Sequence, residues 1–303
     1  MPAHTHHIAV LGILGALLMP SASHANLTGI VPDGAQMHQI ATGLKFVEGP
    51  SWNGKGVLCF SDIPANRIYR LDEEGKLSVF VEPSRNSNGT MFDTDGALLA
   101  CRHDGRDVVR YATDGQMTVV ASVFEGGKFN SPNDLIIAGD GAIYFTDPRY
   151  GLGDRPQEQP CEGVYRVAPD GTVTRVIDDM TRPNGIFIAP DGKTLYVADS
   201  EERKIRAYDI RTYGGVTNGR DFVGMHTDAE GVPDGMTMDR QGNVYCTGGG
   251  GIWVISPKGE HLGTIPVPEV PANCTFGGPD NKTLYITART SVYRIDLLIP
   301  GLR

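Results

Sequence analysis

Apolar residues recur along this chain at every second position, in short runs that end at glycine-bearing turns. NRIYRLDEEGKLSVF (66–80), DVVRYATDGQMTVVA (107–121), GVYRVAPDGTVTRVI (163–177) and GIWVISPKGEHLGTI (251–265) each set two such runs around a tight turn ending in Gly. Period-2 alternation places a strand's apolar side chains on one face, and these turns are strong hairpin signals. A different hairpin precedes most of them. NSPNDLIIAGDGAIYFTD (130–147), TRPNGIFIAPDGKTLYVAD (181–199) and VPDGMTMDRQGNVYCTG (232–248) share a Pro followed by Asn or Asp, an alternating strand, a Gly turn and a second strand. Pro132 to Gly141, Pro183 to Gly192 and Pro233 to Gly242 are each nine residues apart. Ser87 to Gly96 and Ala272 to Asn281 fit the same ruler, while GPSWNGKGVLCFSD (49–62) is a shortened copy.

Two copies deviate in their second hairpin. In the fourth, the connection RTYGGVTNGR (211–220) replaces the tight turn; the sixth stops after its third strand, SVYRIDL (291–297). Six four-stranded units of about 40 to 50 residues are the signature of a propeller. The pattern therefore predicts an all-β, six-bladed β-propeller with four antiparallel strands per blade. MHQIATGL (37–44), ahead of the first copy, supplies the strand that the sixth lacks and closes the ring by pairing the chain's two ends. No stretch has the periodicity of an amphipathic helix.

Composition adds boundaries. Glycine is unusually abundant, 39 of 303 residues, as a fold rich in tight turns requires. The formal net charge of -9 argues against a nucleic-acid partner, which calls for a basic surface. The apolar run Ile8–Met19, followed by Ser23-His24-Ala25, reads as a secretory signal over residues 1–25, leaving 26–303 as a single propeller domain. A secreted or periplasmic location follows, with no membrane attachment after cleavage. Cys59, Cys101, Cys161, Cys246 and Cys274 are widely spaced and form no CxxC pair, so neither a zinc ribbon nor a dense disulfide framework is indicated.

In a propeller the innermost strand of every blade lines the central channel, so equivalent positions converge. The anchors are Glu48, Asn88, Asn133, Asn184, Asp234 and Asn273, all of them carboxylates or amides. Singly these are ordinary turn residues. As a set in phase they form an oxygen-rich site, suited to a hard divalent cation, Ca²⁺ first; the lack of His and Cys argues against zinc or copper.

FVEGPSW, SPNDL, TDPRYG, GVYRVAPDG, RPNGIFIAPDGKTLYVADS, VPDGM and NCTFGGPDNKTLYIT resemble the SMP-30/gluconolactonase family of six-bladed propellers, over about residues 40 to 297. The resemblance implies one divalent cation (Ca²⁺, with Zn²⁺, Mn²⁺ or Mg²⁺ as other candidates) held by Glu48, Asn184 and Asp234. It implies Asn133 beside metal and substrate, and Asp234 as both ligand and general base. Animal members carry a substrate-binding arginine two residues before that asparagine, where this chain has Ser131. Arg102, His103 and Arg149, near second-strand ends, are the candidates to take over substrate contacts.

No GxSxG elbow, HExxH or P-loop occurs, so serine-hydrolase, zincin and nucleotide chemistry lack their sequence support. The expected function is metal-dependent hydrolysis of a sugar-type lactone, a small-molecule substrate. The competing readings are a related aryl-ester or organophosphate hydrolase and a non-catalytic propeller that binds a partner. The oligomeric state is not legible.

Overall fold

The computed structural model describes residues 27–302; the leader read at 1–25 lies outside the described residues. Six four-stranded antiparallel sheets follow one another along the chain as the blades of a propeller. Blade 1 comprises Val47–Trp52, Val57–Asp62, Arg67–Asp72 and Leu77–Val81. Blade 2 runs through Ser87–Phe92, Leu98–Arg102, Asp107–Tyr111 and Met117–Ala121. Blade 3 holds Leu135–Ile137, Ile143–Asp147, Gly163–Val167 and Val173–Ile177, and blade 4 Pro183–Ile188, Thr194–Asp199, Lys204–Ile210 and Val216–Gly224. Blade 5 is Met236–Met238, Val244–Gly248, Gly251–Ile255 and His261–Ile265. Blade 6 takes Pro271–Gly277, Thr283–Ala288 and Ser291–Asp296 from the C-terminal region, and its outer strand, His38–Ala41, from the N-terminal one.

The ring closes as the sequence predicts, with His38 opposite Arg294, Gln39 opposite Tyr293 and Ala41 opposite Val292. The described residues contain no helix. One expectation needs adjusting. In blade 4 the connection is only the turn at residues 211–215, closed by Arg211 N–H to Gly215 O, and residues from Val216 onward are strand. Asn218 and Gly219, which obscured this strand, are accommodated by the register shift between Ala207 and Asp209, since a bulge lets a ladder continue past residues that fit it poorly.

Apolar alternation packs the blades against one another. The buried apolar residues form six clusters, one in each seam: Ile68 and Leu98 meet between blades 1 and 2, Leu135 and Val108 between 2 and 3, and Phe60 with Tyr285 between 1 and 6. Fully burying a side chain such as Phe60 or Leu195 contributes about 1.5–3 kcal/mol. Hydroxyls near the axis peg neighbouring blades together. Ser61 donates to Asn88 O (2.7 Å), Thr146 to Asn184 O (2.7 Å) and Thr247 to Ala272 O (3.1 Å), each from a second strand to the next blade's innermost segment.

Around the axis the innermost segments run nearly in contact. A Cβ on Gly89 would sit 2.6 Å from Asn133 O, and one on Gly185 would sit 2.0 Å from Asp234 O. Glycine therefore follows the anchor in blades 1, 2, 4 and 5, as Gly49, Gly89, Gly185 and Gly235. In blades 1, 2, 4 and 6 the ladder also shifts register near the anchor, which turns the anchor side chain out of the sheet and toward the axis.

Candidate functional site

The anchors form two unlike arcs. On one, amides are joined in a chain: Asn88 Nδ2 donates to Asn133 Oδ1 (2.6 Å), Asn133 Nδ2 to Asn184 Oδ1 (2.5 Å) and Asn184 Nδ2 to Ser200 Oγ (3.0 Å). Ser200 Oγ in turn lies 2.6 Å from Pro233 O. A carbonyl only accepts, so the Ser200 hydroxyl gives its proton there and receives from Asn184. That direction fixes every amide upstream: Asn184 and Asn133 each present oxygen on one side and nitrogen on the other. His103 Nε2 sits 3.3 Å from both Asn88 Nδ2 and Asn133 Oδ1. Burial pushes its imidazole down to about 4, so it is neutral at physiological pH.

The other arc is acidic and poorly compensated. Glu48 is buried and its Oε2 accepts from Gly49 N (2.7 Å). Burial raises its pKa to about 8, the negative charge of Asp134 adds to the rise, and the Gly49 N–H opposes it. Asp234 is raised well above the usual carboxylate range, first by burial and then by the charges of Glu48 and Asp134. Its Oδ1 is buried without a hydrogen-bond partner.

Asp134 is a third buried acid at the axis, which the pattern of anchors missed. It stands where other blades have the glycine after the anchor, and its Oδ1 occupies the space that a Gly89 side chain would need, 2.5 Å from that Cβ position. Its oxygens accept from Leu135 N (2.9 Å) and Asn273 Nδ2 (3.4 Å), and burial raises it to about 6. The signal was present: SPND reads Asn-Asp where SNGT and RPNG read Asn-Gly.

The remaining candidates are placed as follows. Arg102 is buried at the end of its strand and held bidentately by Asp107, with Nε–Oδ1 2.8 Å and Nη2–Oδ2 2.6 Å. Arg149, half-exposed, pairs through Nε with Glu162 Oε1 (2.9 Å), whose other oxygen binds Arg182 (2.9 Å). Asp147 ends the second strand of blade 3 and clamps the segment before Asn133, accepting from Asn130 N and Ser131 N at 2.8 Å each. Asp62 holds Lys45 N (3.0 Å) and Phe46 N (3.2 Å) in blade 1, and Asp199 holds Thr181 N (2.9 Å) and Arg182 N (3.2 Å) in blade 4. Arg102, Gly248 and Ala288 end the corresponding strands of blades 2, 5 and 6.

Access lies beside Asp234. A cavity of about 700 Å³ is lined there by Phe46, Arg203, Glu230, Val232, Arg289 and Asp234 itself. Among the described residues no three His, Cys, Asp or Glu side chains gather closely enough to hold a metal by themselves. Asn184 Oδ1 accepts from Asn133 Nδ2, and the Asn184 amide also hydrogen-bonds toward Asp234.

Fold and site together define a class: a six-bladed propeller with a buried, oxygen-lined polar site on its axis. The sequence pattern described as the SMP-30/Gluconolactonase/LRE-like region matches residues 46–290, and the chain belongs to that family. It is 34% identical to the gluconolactonase of Zymomonas mobilis subsp. mobilis over 89% of this chain and 83% of that protein. It is 30% identical to the pentonolactonase XacC of Haloferax volcanii, over 82% and 83%. The solved structure of a gluconolactonase from Xanthomonas campestris superimposes with a TM-score of 0.84 at 33% identity, covering 91% of this chain and 93% of that one.

Proposed function

We propose that this chain is a secreted or periplasmic, divalent-cation-dependent lactonase that opens a sugar-type lactone to its hydroxy acid. The observation that carries the reading is Asp234 Oδ1, buried without a partner between other acids, in a chain whose relatives include a gluconolactonase and a pentonolactonase. Buried carboxylates that lack counter-charges are costly unless protonated or paired with a cation. The donor set fits such an ion: Glu48, Asn184 and Asp234 would hold it through oxygen, and hard Ca²⁺ favours oxygen donors. When bound, a divalent cation supplies Lewis-acid polarisation of the ester carbonyl and acidifies water.

The chain's own groups do the rest. Asp234 Oδ1 accepts a proton as the attacking water's oxygen bonds to the acyl carbon. The bond from acyl carbon to ring oxygen then breaks, the proton passes from Asp234 to that oxygen, and the product is a hydroxy acid. Asn133 Nδ2 has one hydrogen committed to Asn184 and a second free for the substrate. Neutral His103 steadies Asn133 from behind. Arg149 stands exposed and paired with Glu162, whereas Arg102 is committed to Asp107.

The test is hydrolysis of a lactone panel by protein stripped of metal and refilled with Ca²⁺, Zn²⁺, Mn²⁺ or Mg²⁺. Activity lost on stripping and restored by one of these ions is expected. Turnover that is indifferent to chelation, or confined to aryl esters or organophosphates, would overturn the reading.

A further inference from the structure

Tyr150 lies on the loop between the second and third strands of blade 3, and 45% of it is exposed. A tyrosine so open to solvent contributes little to a core, yet this one is held from several sides. Ser131 Oγ donates to Pro148 O (2.6 Å) and accepts from Gly151 N (3.0 Å), which brackets the residue in sequence. Gly151 lies against His103: a Cβ there would fall 2.4 Å from the His103 Cβ, so a side chain at 151 would lift the loop away. Arg155 secures the same loop through Leu152 O (2.9 Å) and His103 O (3.3 Å). The Arg182 guanidinium lies 5.2 Å from the Tyr150 ring centroid and is itself fixed by Glu162.

These contacts deliver the phenol oxygen to within 3.5 Å of Asn184 Nδ2. In that contact the amide donates and the phenol accepts, which leaves the phenol proton for another acceptor. Ser200 also hydrogen-bonds the phenol; with its own proton given to Pro233 O, it can take the phenol proton until a substrate oxygen replaces it. Ring and hydroxyl thus form a wall beside the anchors, apolar on its face and donating at its tip.

Resting on the lactonase reading, we propose that Tyr150 is a specificity residue: its ring receives the C–H face of a polyhydroxylated lactone and its hydroxyl donates to a substrate oxygen. The consequence is discrimination in favour of a sugar lactone over a bare lactone ring of the same size.

The test compares glucono-1,5-lactone with δ-valerolactone for the wild-type protein and Tyr150→Phe. A hydrogen bond of ordinary net strength corresponds to about a three- to tenfold effect, so KM for the sugar lactone should rise by that factor. KM for valerolactone should move less than about twofold, kcat should hold for both, and melting temperature and cation affinity should not change, as loss of one ligand contact without loss of fold requires. Equal KM changes on both lactones, or none, would overturn the proposal, as would a parallel fall in cation affinity. If the wild-type protein hydrolyses no lactone, the lactonase reading falls by itself. Calorimetric titration with gluconolactam then decides the role of Tyr150: weaker binding to Tyr150→Phe supports it, and equal affinity or no binding to either protein overturns it.

Discussion

Blades 1, 3 and 4 differ from blades 5 and 6 at a single equivalent place, the last residue of the second strand. In the first group it is Asp62, Asp147 or Asp199, and its carboxylate grips two backbone N–H groups just ahead of the anchor. In the second group it is Gly248 or Ala288, with no acceptor to offer. The clamped side carries Asn133 and Asn184, whose amides are fixed in direction. On the unclamped side the segment from Thr227 to Val232 borders the cavity, and Asp234 keeps an oxygen free. The clamp thus coincides with the fixed amides in blades 3 and 4 and with their absence beside Asp234 in blade 5, while blade 1 combines a clamp with the acidic anchor Glu48.

The sharpest break of that contrast is Asp234→Asn, which keeps the shape and removes the charge. General-base catalysis is worth about 10²–10⁴-fold, so kcat at saturating cation should drop at least a hundredfold while some metal remains bound by elemental analysis. Retention of more than about a tenth of kcat, far above that contribution, would leave Asp234 as a ligand only. The base would then be sought at Glu48 or His103, because Asp147 is tied into its clamp.

Next in size is the clamp itself. Asp199→Ala strips partners from three backbone donors, those of Thr181, Arg182 and Glu202, at about 1–3 kcal/mol each, and should lower the denaturation midpoint markedly. On the open side, Glu230→Gln breaks only an exposed pair with Arg289 and should cost less than about 1 kcal/mol. Similar losses in the two variants would erase the distinction between the sides.

The pH dependence offers a third test. Glu48 and Asp134 have folded-state pKa values of about 8 and about 6, above those of the unfolded chain. Between the unfolded and folded values the folded state binds more protons, so stability falls as pH rises. Without cation the melting temperature should therefore decline from about pH 4.5 toward 8. Asp147 acts in the same direction, and His103 in the opposite one between about 4 and 6.5. Saturating Ca²⁺ should remove the share due to the channel acids, so the difference between the two melting curves isolates them. Curves that stay parallel would count against a cation there.

The smallest effect expected is that of Ser200→Ala, which frees the Asn184 amide to turn over. Cation affinity should weaken about three- to tenfold, the worth of one hydrogen bond, and Ser200→Thr should restore it. Unchanged affinity in calorimetry would show that Asn184 keeps its direction without Ser200.

The nine-residue ruler made the blades, their turns and the ring closure legible, because glycine turns and period-2 burial are local signals. The anchors were legible for the same reason. Asp134 was not, since a carboxylate after an asparagine looks like turn chemistry until the crowding at Gly89 is known. The partner of Arg149 was equally hidden, since Glu162 lies across the loop from it, whereas Asp107 faces Arg102 directly across the second hairpin of blade 2. In blade 4 Asn218 and Gly219 read as a loop because the register shift that absorbs them is a property of the sheet.

The outer strand of blade 6 also makes ring closure wait for the end of the chain. His38–Ala41 is synthesised long before Ser291–Asp296, its ladder partner. At about 5–20 residues per second and a separation of roughly 250 residues, it waits about 12–50 s for that partner. Until then the growing ring is an open horseshoe with a bare sheet edge, the kind of surface that invites pairing with another chain. A polypeptide truncated before residue 291 keeps that bare edge permanently, so the loss of a short C-terminal segment exposes a strand at the opposite end of the sequence.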